Sequence, residues 1–150
     1  MSAIYNLHKV SDLLTCAGQP REDQLVTIAD EGYKVVINLG LSEGKYALKD
    51  EAASIKALGI EYHHIPVIFN KPGIEELAIF IELLNKHQDK KTFVHCAANY
   101  RASVFTGLYL YSEGKLDENE VQAFIEKMWK PDHVWQLFIE DCLDLLNDEQ

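Results

Sequence analysis

Two rhythms of apolar residues alternate along this chain. Residues 13–17, Leu-Leu-Thr-Cys-Ala, read as a short strand ending at Gly18-Gln19-Pro20. Leu25, Ile28 and Ala29 then recur at helical spacing until Gly32 stops the pattern. Lys34 to Leu39 is a nearly continuous β-branched run, the mark of a strand buried on both faces of a parallel sheet, and residues 40–45 form the loop after it. Residues 50–58 make a short helix closed by Gly59, and residues 61–65 alternate polar and apolar up to Pro66, giving a third strand. Pro72-Gly73 opens a helix whose apolar face carries Ile74, Leu77, Ala78, Ile81 and Leu84. The fourth strand is Thr92 to His95. Val104 to Tyr111 is apolar nearly all round, as a helix in the middle of a fold must be. Two amphipathic helices follow, one with Val121, Phe124, Ile125, Met128 and Trp129, the other with Trp135, Phe138, Ile139, Cys142 and Leu146. Lys130-Pro131-Asp132-His133 breaks them apart.

Strands alternating with helices predict a three-layer α/β domain, with a mainly parallel central sheet of about four to five strands flanked by helices. At 150 residues and 47% hydrophobic, the chain has the size and apolar content of a single domain over 1–150. Ligands of open α/β sheets bind beyond the carboxyl ends of the strands. Gln19, the loop 40–45, the loop 66–72 and Cys96 are therefore expected to gather at one end.

Charge and cysteines narrow the partners. A net charge of −10, from 14 basic and 24 acidic residues, opposes nucleic acid and anionic membranes, so an anionic ligand needs a local positive field. Three dispersed cysteines, Cys16, Cys96 and Cys142, suggest neither a disulfide framework nor a zinc motif. Cys16 and Cys142 read as core residues. No apolar run is long enough to span a bilayer, and Met1-Ser2-Ala3-Ile4-Tyr5 lacks the pattern of a signal peptide, so the expected location is the cytoplasm. His63 and His64 point to opposite faces of a strand, so no metal pair follows from them, and no cofactor is expected. Nothing in the sequence bears on oligomeric state.

The chemistry concentrates in residues 95–103, His-Cys-Ala-Ala-Asn-Tyr-Arg-Ala-Ser, directly after the fourth strand. A strand running through a tight turn into a buried helix aims backbone N–H groups and a positive helix end at the turn. Anions fit there, and the same field favours a thiolate on Cys96. Ala97 and Ala98 are small enough for the backbone to curl round a ligand, and Asn99 tolerates a left-handed conformation. Tyr100 and Ala102 complete the loop around Arg101, a planar clamp for an oxyanion. Ser103 is placed to donate a hydrogen bond to the thiolate.

This segment resembles the signature of the cysteine-dependent tyrosine and dual-specificity phosphatases: His-Cys, five residues, Arg, then Ser or Thr. Ala17-Gly18-Gln19-Pro20, Val35 to Leu39 and His64-Ile65-Pro66-Val67 extend the likeness to the bacterial phosphatase-like family that also supplies a domain to beta-lactamase hydrolase-like proteins. The resemblance implies Cys96 as nucleophile, Arg101 as phosphate clamp, and His95, Ser103 and Gln19 as supports. It also implies a phosphorylated small molecule or phosphoprotein as substrate. Two departures stand out. Arg101 lies at cysteine plus five, with Ala102 at the expected plus six, and the loop 66–72 has no carboxylate to serve as general acid. Asp132 and His133 are the distant substitutes. Two further readings stay open: a rhodanese-like sulfurtransferase, whose loop shares the four-residue Cys-to-Arg interval, and a pseudophosphatase that binds phosphorylated ligands without turnover.

Overall fold

The computed structural model describes residue 1 and residues 3–148; Ser2, in the amino-terminal segment, and Glu149 and Gln150, at the end of the expected domain, lie outside the described residues. The predicted strands form as β2 (Leu14–Ala17), β3 (Val35–Asn38), β4 (Glu61–His64) and β5 (Thr92–His95). A further strand, β1 (His8–Ser11), precedes them. The five make one sheet in the order β1-β2-β5-β3-β4, parallel throughout except for the antiparallel β1–β2 hairpin. β2, β3 and β5 are buried at every position, which explains their continuous apolar sequence.

Among the described residues six helices cover the sheet: α1 (Glu22–Asp30), α2 (Glu51–Ala57), α3 (Ile74–Lys86), α4 (Tyr100–Ser112), α5 (Glu118–Glu126) and α6 (His133–Asp148). Because side chains alternate along a strand, each strand feeds two cores. Ala17, Val36 and Phe93 pack with Leu25 and Ile28 of α1 and Ile55 of α2. Cys16, Val35, Ile37 and Val94 pack on the opposite face with α3 to α6. That is the predicted three-layer architecture.

One difference bears on the site. The helix expected over 104–111 begins at Tyr100, so Tyr100, Arg101, Ala102 and Ser103 form a first helical turn rather than loop. Asn99, at φ +68°, makes the left-handed step from the turn into α4, and the Ser103 N–H closes onto the Asn99 carbonyl at 3.2 Å. α4 is buried from Arg101 to Tyr111 and forms the centre of its layer. On α3 the apolar face is shifted: Phe80 is fully buried, while Ile74 is exposed.

Candidate active site

The turn 96–99 is held from outside by its carbonyls. Gln19 N–H donates to the Ala97 oxygen at 2.9 Å, and the Asn6 side chain donates to that of Ala98 at 3.0 Å. Asn99 returns a bond to the Asn6 carbonyl at 2.9 Å. With these carbonyls turned outward, the N–H groups of Ala97, Ala98, Tyr100 and Arg101 have no protein acceptor among the described residues. The Ala102 N–H meets Cys96 Sγ at 3.4 Å, so the sulfur sits on the amino-terminal end of α4. Cys96 is buried beneath this turn.

Gly18 lets the two segments meet. A Cβ there would stand 2.8 Å from the Ala97 oxygen and 3.0 Å from the Tyr5 oxygen, both backbone atoms. Gly18→Ala is therefore expected to displace the turn and lower stability by about 1–3 kcal/mol. Urea unfolding measures the loss, and the same variant should bind phosphate more weakly.

Arg101 reaches across the mouth of the turn rather than into solvent. Its Nη1 donates to the Val67 carbonyl at 2.8 Å, and its guanidinium lies 5.8 Å from the centroid of the Phe69 ring. The side chain is only 7% exposed, yet it takes part in none of the ion pairs among the described residues, and its Nε has no partner. A buried guanidinium without a counter-ion carries a desolvation cost that an anion beside it would relieve. Phe69 is fixed in turn by the Trp135 indole, which donates to its carbonyl at 2.6 Å, and Tyr100 stacks on Trp129 at 4.4 Å.

Alternation along β5 sends His95 to the opposite face from Val94, towards α2. There His95 Nε2 meets Glu51 Oε2 at 2.6 Å, and Nδ1 faces the Cys96 carbonyl at 3.2 Å. Gln19 donates to the other Glu51 oxygen at 2.7 Å. Asn38 donates to Tyr62 at 3.0 Å and accepts from the Gly40 N–H at 2.8 Å. Burial works against the charged form of Glu51, but the charge of His95 and these hydrogen bonds outweigh it and hold the carboxyl below its ordinary value of 4.5.

Glu51 was not among the residues expected from sequence. In the first turn of a helix capped by Asp50, a glutamate reads only as a partner of the helix dipole. Glu51→Gln keeps the shape and removes the charge, and is expected to cost about 1.5–3 kcal/mol. Because the folded-state pKa is depressed, the wild-type contribution is complete above pH 4.5 and is lost as pH falls through the lower folded-state value. The variant should therefore show a flatter acid limb in urea titrations run at several pH values.

The loops 18–20, 40–45 and 66–72 do converge on Cys96, through Gln19, Gly40 and Val67. Three other candidates have partners or surroundings away from Cys96 in this structure. Ser103 is fully buried and its hydroxyl donates to the Tyr100 carbonyl at 2.9 Å, one turn back in its own helix, not to Cys96. Asp132 accepts from the Trp135 N–H at 2.9 Å and so caps α6, while His133 opens that helix exposed to solvent. Neither is aimed at Cys96 by any hydrogen bond among the described residues. Cys16 lies under the turn, where Asn99 donates to its sulfur at 3.6 Å; burial pushes its thiol up to about 12, as it does that of Cys142, and both remain protonated core residues. Beside Ala97 and Ala98 opens a hollow of about 560 Å³ walled by Tyr5, Gln19, Pro20 and Tyr46.

Comparison with known proteins gives this geometry a setting. Residues 6–128 match a family model described as DSP-PTPase phosphatase fused to NAD+ kinase. The crystal structure of a protein from Shewanella putrefaciens CN-32, named as an inferred phosphatase, superposes with a TM-score of 0.87 at 30% identity, covering 94% of this chain and 93% of that one. The structure of PTPMT1 shares the fold, with a TM-score of 0.79 at 15% identity over 95% of this chain and 97% of that one. Among curated proteins, the beta-lactamase hydrolase-like protein of Xylella fastidiosa (strain Temecula1) is 26% identical over 117 residues. That match takes in 76% of this chain and 27% of the relative, so the chain spans about a quarter of that protein's length.

Proposed function

Since the chain belongs to the DSP-PTPase phosphatase family described in its fusion to NAD+ kinase, we propose that it is a cysteine-dependent phosphatase acting through a cysteinyl-phosphate. The observation that carries this reading is Arg101, a buried guanidinium with no carboxylate partner among the described residues, on the same first turn of α4 whose Ala102 N–H meets the Cys96 sulfur. A phosphoryl group in the turn would receive the turn's amides and the free Nε of Arg101. The Cys96 thiolate attacks phosphorus, the S–P bond forms and the ester P–O bond breaks, and the electron pair leaves on the ester oxygen. Water then attacks phosphorus, the S–P bond breaks, and phosphate departs as the thiolate is restored.

No acid stands in the loop 66–72 to protonate the leaving oxygen, and such assistance is typically worth about 10²–10⁴-fold. Substrates whose leaving group carries its own negative charge well, such as aryl phosphates, are therefore the expected class. The hollow between Tyr5 and Tyr46, both largely exposed, offers apolar walls for the aryl part. The substrate is a phosphorylated small molecule or a phosphoprotein side chain.

Mass spectrometry of the Cys96 peptide tests the proposal. After acid quench of enzyme mixed with an aryl phosphate, a phosphoryl increment on Cys96 supports it. A sulfur increment after thiosulfate, with no phosphoryl adduct, would replace it with sulfurtransfer. Tight phosphate binding with no adduct and no turnover would make the protein a phospho-ligand binder.

A further inference from the structure

The alternation of β4 that sends Tyr62 towards Glu51 sends Glu61 and His63 to the other face, where α3 ends. His87, the residue that closes α3, meets them there. His63 Nε2 lies 2.5 Å and His87 Nε2 2.7 Å from the same oxygen, Glu61 Oε2. His87 is 8% exposed, and its Nδ1 donates to the Leu83 carbonyl at 2.8 Å, which fixes the ring and dedicates Nε2 to the cluster. Two imidazole nitrogens and one carboxylate oxygen thus converge on a single point, where a metal ion would replace the protons of these hydrogen bonds. We propose that Glu61, His63 and His87 form a binding site for a divalent transition metal ion of the zinc type.

The donor set is one that zinc accepts: two imidazoles, one carboxylate and room for water. The three ligand atoms lie within 4.8 Å of one another. Tetrahedral zinc with bonds of about 2.0–2.1 Å needs ligand atoms about 3.3 Å apart, so each hydrogen-bonded pair has to open by less than about 1 Å. Glu61 is 44% exposed and His63 31%, which leaves these side chains free to make that adjustment and the ion free to approach from solvent. On binding, the metal takes the nitrogen lone pairs and displaces the Nε2 protons to solvent. The Nδ1–H bond from His87 to the Leu83 carbonyl is then the outer contact that metal-bound histidines usually make.

The site is separate from Cys96. Glu61 pairs with Val35, level with Thr92 at the start of β5, whereas Cys96 follows the far end of that strand. A bound ion would tie the edge strand β4 to the end of α3, stabilising an edge that is otherwise open.

Calorimetry on the metal-stripped Cys96→Ser form of the 150-residue chain keeps that thiol out of the count. Zinc chloride is expected to bind at one ion per chain and to raise the melting temperature, and magnesium chloride to do neither. Glu61→Gln and His63→Ala, both at exposed positions, should each weaken zinc binding by roughly tenfold or more, as should His87→Ala if it folds. Zinc affinity unchanged in Glu61→Gln and His63→Ala, or no zinc bound at micromolar concentration, would overturn the proposal. Neither result bears on the reaction at Cys96, so the two readings fail separately.

Discussion

Cys96→Ser is expected to abolish hydrolysis of an aryl phosphate while leaving phosphate binding intact. The sulfur lies at the end of a fully buried strand, against the Ala102 N–H and beneath a ring of amides with no other acceptor among the described residues. All of these groups survive the change, and serine is smaller than cysteine, so the buried position accepts it without overpacking. What is lost is the proposed nucleophile: a hydroxyl with no base bonded to it attacks phosphorus far less readily than sulfur does. Removing the nucleophile of a covalent mechanism costs on the order of 10⁴-fold or more in turnover, or about 5 kcal/mol of barrier. Steady-state kinetics with an aryl phosphate, alongside calorimetric titration with inorganic phosphate, separates the two effects. Turnover within tenfold of wild type, roughly one kcal/mol of barrier, would remove Cys96 from the mechanism.

The second large effect is expected at Arg101. Loss of one donor to a developing oxyanion typically costs about 10²–10³-fold, and Arg101→Ala should reduce kcat/KM by that amount while also weakening phosphate binding. The truncation has a structural cost as well, because the buried Val67 carbonyl loses its donor, worth about 1–3 kcal/mol. Arg101→Lys discriminates between the two effects. A lysine can still reach one carbonyl and keeps the charge, so stability should largely return, but without the planar fork catalysis should recover only in part. Moving the arginine to the position usual in phosphatases is a harsher test. Ala102 is fully buried, and one residue along a helix turns the side chain by about 100° into the packed stripe of α4. Arg101→Ala combined with Ala102→Arg should therefore lower stability by about 1–3 kcal/mol and fail to restore activity. Wild-type kinetics in that double variant would show that Arg101 is not the anion clamp.

How legible each part was depends on where its information lies. Val35–Asn38 and Thr92–His95 were readable because burial on both faces leaves a continuous apolar run. β1 is not, since His8–Ser11 is an edge strand that half-buries only His8 and Val10 on one face and so carries no continuous apolar run. The turn after β5 is readable from its small residues and the His95-Cys96 pair, and Asn99 takes the left-handed conformation its side chain permits. The helix start at Tyr100, four residues before the expected one, is not legible because Tyr100 to Ser103 mix polar and apolar types and give no periodic signal.

By itself the sequence determined the three-layer α/β class, and it singled out one end of the sheet and Cys96 and Arg101 there as the pair to test, because these follow from local periodicity and contiguous residues. Tertiary structure alone decided the rest. Glu51 reaches His95 across 44 positions of chain, Arg101 is enclosed by Val67 and Phe69 of another loop, and Glu61, His63 and His87 meet only where β4 lies beside the end of α3. The physical reason is the same in each case. A charged or polar side chain looks like a solvated surface residue until packing removes its water, and only the groups brought against it in space determine whether it becomes a support, a clamp or a ligand.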